Sequence, residues 1–541
     1  MSRTPLFRSM MRSLTKAVET EALENGIKLS RRDGIRIGTV SAMAAYLNAC
    51  ATTQTLSAIS DKKRPQPVQD NDNDIVIVGG GAAGLSAAYY LKKANIKSHV
   101  YEANDRLGGR IFTQYQFNNE DMFCERGGEL IDTGHVEIQD LMAELGLELQ
   151  RLPDPSRLNE VHYIEGRWHS EEELVTAFRP FARRIAKDAA EFMVKGKFMM
   201  PTYLDPISDR LKILDFMTLK AYLDSAKDVC PNWVRELIRV AYVGEYGLEA
   251  EEQSAINLVC FIGTKLSGGF KMFGESDELF RVKGGNSMLI HGLADNLQDS
   301  YSTGHKLQSI ARSSDGVFQL LFQVQNEVVE VKTRTCILTL PFTVLRGIKG
   351  IDKLGLSPLK LRAIRELGYG TNAKLMLGFK SRYWREEGKS FPANDGAITT
   401  DLPFQGGWDT SRQQEGNGGV FTNFMGGKQG ETFAANKIQS VLNDLNTVYP
   451  GIANLHDSNK VLQVWTAVST ARGSYICQKP GQYTTITGSF AEPECAGSLL
   501  FAGEHTSENF PGFMNGAVES GLRVATSIIE GVAEPVKAKR A

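Results

Sequence analysis

The sequence predicts an α/β protein whose globular part opens with a Rossmann-like dinucleotide-binding unit, and three features of one stretch predict it. A β-branched run, Asp74-Ile75-Val76-Ile77-Val78, has the composition of a buried parallel strand. A glycine turn, Gly79-Gly80-Gly81-Ala82-Ala83-Gly84, follows at once and leads into a helical pattern from Leu85 to Ala94. A second strand, Ser98 to Tyr101, then ends at an acid, Glu102.

Each part of that unit has a physical task. Gly79 permits the tight turn, Gly81 lets the backbone approach a pyrophosphate, and Gly84 lets helix and strand pack closely. Ala82 and Ala83 start the helix, whose free N–H groups and positive dipole end suit the same phosphates. Glu102, with Ala103 beside it, stands 21 residues past Gly81, where an acid accepts hydrogen bonds from an adenosine ribose. A bare GxGxxG says little; between two strands, with the acid in place, it specifies a dinucleotide.

Composition sets the outer limits. The chain has 541 residues, 61 Lys+Arg against 63 Asp+Glu, a net charge of −2 and 42% hydrophobic residues. At roughly 150 residues per domain it can bury a large core without disulfide staples. The near-zero charge offers no general attraction to phosphate, so nucleic acid is not an expected partner. Seven cysteines (Cys50, Cys124, Cys230, Cys260, Cys336, Cys477, Cys495) lack CxxC or Cys/His metal spacing and read as buried or free thiols.

Residues 1–50 read as an address rather than as fold. Ser30-Arg31-Arg32-Asp33-Gly34-Ile35 resembles a twin-arginine export signal, and Leu47-Asn48-Ala49-Cys50 resembles a lipoprotein cleavage box with Cys50 as the lipid anchor. The expectation is export; an N-terminal helix on a cytoplasmic enzyme is the alternative. Residues 51–73, rich in Ser, Thr, Asp, Gln and Pro, read as a linker, and 531–541 as a tail.

The choice of cofactor turns on Arg106-Leu107-Gly108-Gly109-Arg110, the RxGGR run that follows the second strand in flavoproteins of the amine oxidase type. Gly109 again allows close backbone approach, and Arg110 can set a guanidinium against pyrophosphate oxygens. Further motifs occur in the same family's order: Gly127-Gly128-Glu129-Leu130, then Phe501-Ala502-Gly503-Glu504-His505-Thr506, then Gly512-Phe513-Met514-Asn515-Gly516-Ala517. From Asp74 to about Glu530 the chain resembles the flavin-containing amine oxidases, the family of monoamine, polyamine and L-amino acid oxidases.

The resemblance implies an α/β fold of two lobes: a Rossmann-like FAD-binding lobe (74–134, 276–340, 461–530) and a mixed-sheet substrate lobe with a helical insertion (135–275, 341–460). It implies FAD, with Gly127 to Leu130, Leu307, Trp465, Gly503, Glu504, Gly512, Met514 and Ala517 along it. Monoamine oxidases tether the flavin through a cysteine where this chain has Ser474, so binding is expected to be noncovalent. The resemblance also marks three catalytic positions. Lys374, inside the apolar run Ala373-Lys374-Leu375-Met376-Leu377, stands where the family keeps a lysine that assists reaction with O2. Tyr475 and Phe513 stand at the two ring positions that flank the substrate amine.

The substrate is harder to read. Venom-type L-amino acid oxidases hold the substrate carboxylate with an arginine where this chain has Leu130. Arg126 and Arg472 are candidate replacements, and the segment Leu402 to Arg412 offers Gln405 and Trp408 as lining residues. A cluster of acids in the pocket would favour polyamines, and none is readable. The expected activity is oxidative deamination of an L-amino acid with an apolar or aromatic side chain, using O2; a primary-amine or polyamine oxidase is the alternative. A homodimer is the default assembly.

Overall fold

The computed structural model describes residues 75–152, 161–194 and 197–531. The twin-arginine-like stretch, Cys50, the linker and most of the C-terminal tail lie outside them. The elements that build the site are, in chain order, β1 (Ile75–Val78), α1 (Ala82–Lys93), β2 (Ser98–Tyr101), β3 (Val161–Ile164), β4 (Arg167–His169), α2 (Glu171–Ala189) and α3 (Asn232–Tyr246). They continue with β5 (Tyr301–Ser302), β6 (Cys336–Leu338), β7 (Ala373–Phe379), β8 (Ile398–Thr400) and β9 (Gly406–Asp409). Last come β10 (Gly419–Met425), β11 (His456–Val464), β12 (Leu499–Phe501) and α4 (Met514–Ile529).

Two sheets organise the molecule. The first is parallel throughout, in the order β5-β2-β1-β6-β12. Its central strands are short, apolar and fully buried, as expected of a parallel sheet covered on both faces. The turn after β1 is glycine by necessity. Gly79 has φ +114°, and a Cβ on Gly84 would stand 2.0 Å from the Gly79 carbonyl oxygen. Helix α4 crosses α1 equally closely, since a Cβ on Gly521 would meet the Ala83 carbonyl at 2.4 Å.

The second sheet has seven strands in the order β11-β7-β10-β9-β8-β3-β4, antiparallel except between β8 and β3. Strand β7 lies in its interior, between β10 and β11, and every one of its residues is buried. The stretch 135–275 contains helices α2 and α3, and it also gives this sheet β3 and β4. Helix α2 starts at Ser170, whose hydroxyl accepts from the Glu173 N–H, with three acids in its first turn. Helices α2 and α3 supply apolar faces to one core with Phe178, Phe181, Tyr222 and Tyr242 at its centre. Helix α3 ends at Gly247 in the left-handed region, φ +75°, which leaves its last residues, Glu245 and Tyr246, beside the second sheet's cavity.

Among the described residues all six cysteines are free, no group of His, Cys, Asp or Glu could hold a metal ion, and no helix is long and apolar enough to cross a membrane.

Candidate active site

A cavity of about 730 Å³ runs from the glycine turn of the parallel sheet to the face of the seven-stranded sheet. At the nucleotide end it is lined by Gly79, Gly81, Ala82, Ala83, Glu102, Ala103, Gly109, Arg110 and Leu307. Gly84 stays beneath the turn, against Gly79, and does not line it. A Cβ on Gly81 would meet no protein atom within 4 Å, although the residue opens a buried helix. Space kept clear at that point is what a pyrophosphate needs. Glu102 is fixed by the N–H groups of Gly80 (2.7 Å) and Asn104 (2.8 Å) on separate oxygens.

Farther along, Arg110 pairs with Glu504 at 2.9 Å, and the other Glu504 oxygen accepts from the Gly512 N–H. This ties the RxGGR turn to the approach to α4, so the helix N-terminus at Phe513 and Met514 points at the cavity. Gly127 passes so close to Arg110 that a Cβ would lie 1.7 Å from its carbonyl oxygen. Gly128, Leu130, Trp465, Gly503 and Ala517 complete this part of the wall. A planar tricyclic ring system beside a glycine-backed strip and a helix N-terminus is the arrangement these residues fit.

The reactive end centres on Lys374. Its Nζ is 2.7 Å from Glu129 Oε2 and 3.0 Å from the Gly127 carbonyl oxygen, with both side chains 4% exposed. The second carboxylate oxygen of Glu129 accepts from Trp408 Nε1 at 3.0 Å and Thr410 Oγ1 at 2.8 Å. Burial alone would raise the Glu129 carboxyl; Lys374, Trp408 and Thr410 together hold it below its ordinary value. A buried lysine in an interior strand is thereby compensated, and the Trp408 ring centre lies 5.2 Å from its ammonium.

Tyr475 and Phe513 both reach the cavity. The Tyr475 phenol donates to the Glu245 backbone carbonyl, and its ring edge lies beside Gly512. The Phe513 ring packs on His135, 4.9 Å between centroids. Ser474 donates to Asn372 Oδ1 at 2.6 Å. Gln405 lines the wall while spanning Gly426 with both ends of its amide.

The two arginines read as carboxylate candidates lie elsewhere. Arg126 does not line the cavity: its guanidinium lies over the Phe112 ring at 4.8 Å. Arg472 does line it, but beside Gly347 on the nucleotide side. Four charged lining residues are not singled out by the sequence: Arg412, Glu245, Glu278 and Lys306. Arg412 ends the Leu402 to Arg412 segment, so for that residue the stretch is visible in the sequence without the facing side chain.

A parallel sheet with a glycine cradle, joined through one cavity to a mixed sheet bearing a buried lysine, defines a flavin-dependent oxidoreductase. The model of the flavin containing amine oxidoreductase family matches residues 82–529, and the chain belongs to that family. The flavin-dependent L-tryptophan oxidase RebO of Lentzea aerocolonigenes is 24% identical over 84% of this chain and 98% of its own. A flavin-containing amine oxidase of Danio rerio is also 24% identical, over 85% of this chain and 86% of its own. The cyclohexylamine oxidase of Brevibacterium oxydans IH-35A superposes with a TM-score of 0.71 at 19% identity, covering 85% of this chain and 100% of that one. The protein is therefore a flavin oxidase acting on small-molecule amines with O2.

Proposed function

We propose that this enzyme binds FAD noncovalently and oxidises an L-amino acid, consuming O2 and water and releasing a 2-oxo acid, ammonia and hydrogen peroxide. When bound, FAD supplies a two-electron acceptor that O2 restores. The residues supply the rest. Tyr475 and Phe513 wall the slot for a neutral amine, and Lys374, fixed by Glu129, keeps a donor at the reactive end. Ser474 has no thiol to tether a flavin, and the lining Cys260 has its thiol pushed up to about 12 by burial.

The observation that carries the amino-acid reading is Arg412. It lines the cavity with a side chain 13% exposed, and its closest described acid, Asp395, is 3.9 Å away. Its Nε donates to the Asp409 carbonyl, which aims the guanidinium from a fixed point. A carboxylate entering an apolar cavity needs such a partner. Leu130 cannot provide one.

Anaerobic mixing with L-phenylalanine, L-ornithine and phenylethylamine, followed by flavin absorbance, is expected to show bleaching by amino acids. Bleaching by phenylethylamine alone would overturn the reading. Arg412→Met is expected to raise KM for an amino acid by about 10- to 100-fold, the loss of one charge-assisted pair. Phenylethylamine, which has no carboxylate, serves as the control. We also propose export through the Ser30 to Ile35 stretch, so that changing Arg31 and Arg32 to Lys leaves the protein in the cytoplasm on fractionation.

The amine-oxidase reading is favoured by Glu245 and Glu278, two acids that line the same cavity. They also bear on which amino acid is taken.

A further inference from the structure

We infer that Glu245 is a specificity residue that holds a cationic group, an ammonium or guanidinium, at the end of the substrate remote from the oxidised carbon. The inference rests on the proposed function only for the amino-acid half of the molecule, which would then carry a basic side chain.

Glu245 is the penultimate residue of α3, and its own carbonyl accepts from the Tyr475 phenol. It therefore sits at the tip of a ring expected to flank the reacting amine, on the side away from the ring's attachment to the backbone. Glu245 lines the cavity, and no described residue hydrogen-bonds or ion-pairs with its carboxylate. The charge acting on it from nearby is another negative one, Asp132.

The surroundings are aromatic. Tyr246, Phe261, Phe273 and Tyr475 line the same cavity, with Tyr246 and Phe261 at 6.3 Å edge to face and Phe261 and Phe273 at 5.8 Å. Ring faces with one carboxylate among them are the surroundings in which a desolvated cation is held. A neutral side chain would gain from the rings and nothing from the acid. Without a cation the acid carries a cost: burial, aided by Asp132, pushes its carboxyl up to about 7. An entering ammonium reverses that and gives the carboxylate the partner that no described residue supplies.

Helix geometry limits alternative uses. The helix ends two residues later, at Gly247, and Thr371 and Gly427 hold that carbonyl end from outside through the Gly247 oxygen. The backbone of Glu245 is thus held on both sides, by Tyr475 at its own carbonyl and by Thr371 and Gly427 two residues on.

The test compares paired substrates on the purified holoenzyme: L-ornithine and L-lysine against L-norleucine, and putrescine against butylamine. The expected result is a higher kcat/KM for the basic member, and a fall in that ratio of about 10- to 100-fold in Glu245→Gln. Glu245→Asp keeps the charge and is expected to retain part of the preference. Binding of butylguanidinium, read as a shift of the flavin spectrum, gives a second readout that needs no turnover and is expected to weaken in Glu245→Gln. A preference for the neutral partners in the native enzyme, or a ratio and butylguanidinium affinity unchanged in Glu245→Gln, would overturn the inference. If putrescine is oxidised in a Glu245-dependent way and no amino acid is, the amino-acid reading fails and the role of Glu245 stands.

Discussion

Lys374→Met is expected to lower the stability of the folded enzyme by about 3 kcal/mol, because it leaves the Glu129 carboxylate buried without its cation. In the native protein burial acts to raise the Glu129 carboxyl, and Lys374, Trp408 and Thr410 outweigh it and hold it low. A carboxyl depressed on folding contributes stability that is present above the ordinary carboxylate range and is lost as pH falls through the native value. Removing Lys374 leaves burial dominant and turns the shift upward, so the sign reverses. The variant's deficit should be full at neutral pH and shrink as the pH is lowered and Glu129 takes up a proton. Adding Glu129→Gln should restore most of the loss, since the amide can still accept from Trp408 and Thr410. Urea unfolding from about pH 5 to pH 8 separates these outcomes. A deficit below about 1 kcal/mol, or one flat across that range, would show that the pair is not the unit described. In stopped-flow experiments the same variant is expected to slow reoxidation by O2 more than reduction by substrate, and equal slowing would remove Lys374 from the oxygen step.

The Lys374–Glu129 pair also shows what the sequence could and could not convey. A lysine inside Ala373 to Leu377 is conspicuous because an apolar strand must find it a partner, and the fingerprint around Gly79 to Glu102 is conspicuous because its demands are local and backbone-based. The partner was not visible in the same way. Glu129 lies 245 residues away, and only the fold brings it to 2.7 Å. The Gly127 to Leu130 motif places Glu129 beside the cofactor, but its task is set by β7, a strand far along the chain.

The carboxylate anchor illustrates a second limit. Proximity in sequence to a motif glycine suggests Arg126, yet Arg126 follows a two-residue strand, Cys124–Glu125, too short to show which way the next side chain turns, and its guanidinium packs on Phe112. Arg412 sits just past a strand, where the two-residue period no longer fixes which side chains face inward. Glu245 lies inside α3 on the face of Ile238 and Ala241, which the 3.6-residue period marks as inward, but that period does not tell a cavity wall from a packed core. The pocket's acids are therefore a finding of the fold, and they set a basic substrate against the expected apolar or aromatic one.

Two glycines of one turn should fail in opposite ways, and the contrast separates folding from cofactor binding. Gly84→Ala places a Cβ 2.0 Å from the Gly79 carbonyl oxygen, a backbone atom that cannot move without opening the β1 to α1 turn. The expected result is loss of several kcal/mol, about the cost of a severe buried clash, in protein with or without flavin. Gly81→Ala meets no protein atom within 4 Å, and Gly81 has φ −81° and ψ −179°, which alanine adopts freely. As the residue preceding α1 it makes no side-chain cap, so the flavin-free protein should change by no more than about 1 kcal/mol. Its methyl group, however, enters the space kept clear above the helix N-terminus, where the pyrophosphate must approach the backbone. Flavin content after purification should therefore collapse in Gly81→Ala while the unfolding midpoint of the flavin-free protein stays near native. Retention of flavin by Gly81→Ala would place the dinucleotide elsewhere in the cavity, because a methyl group and a phosphate cannot share that position.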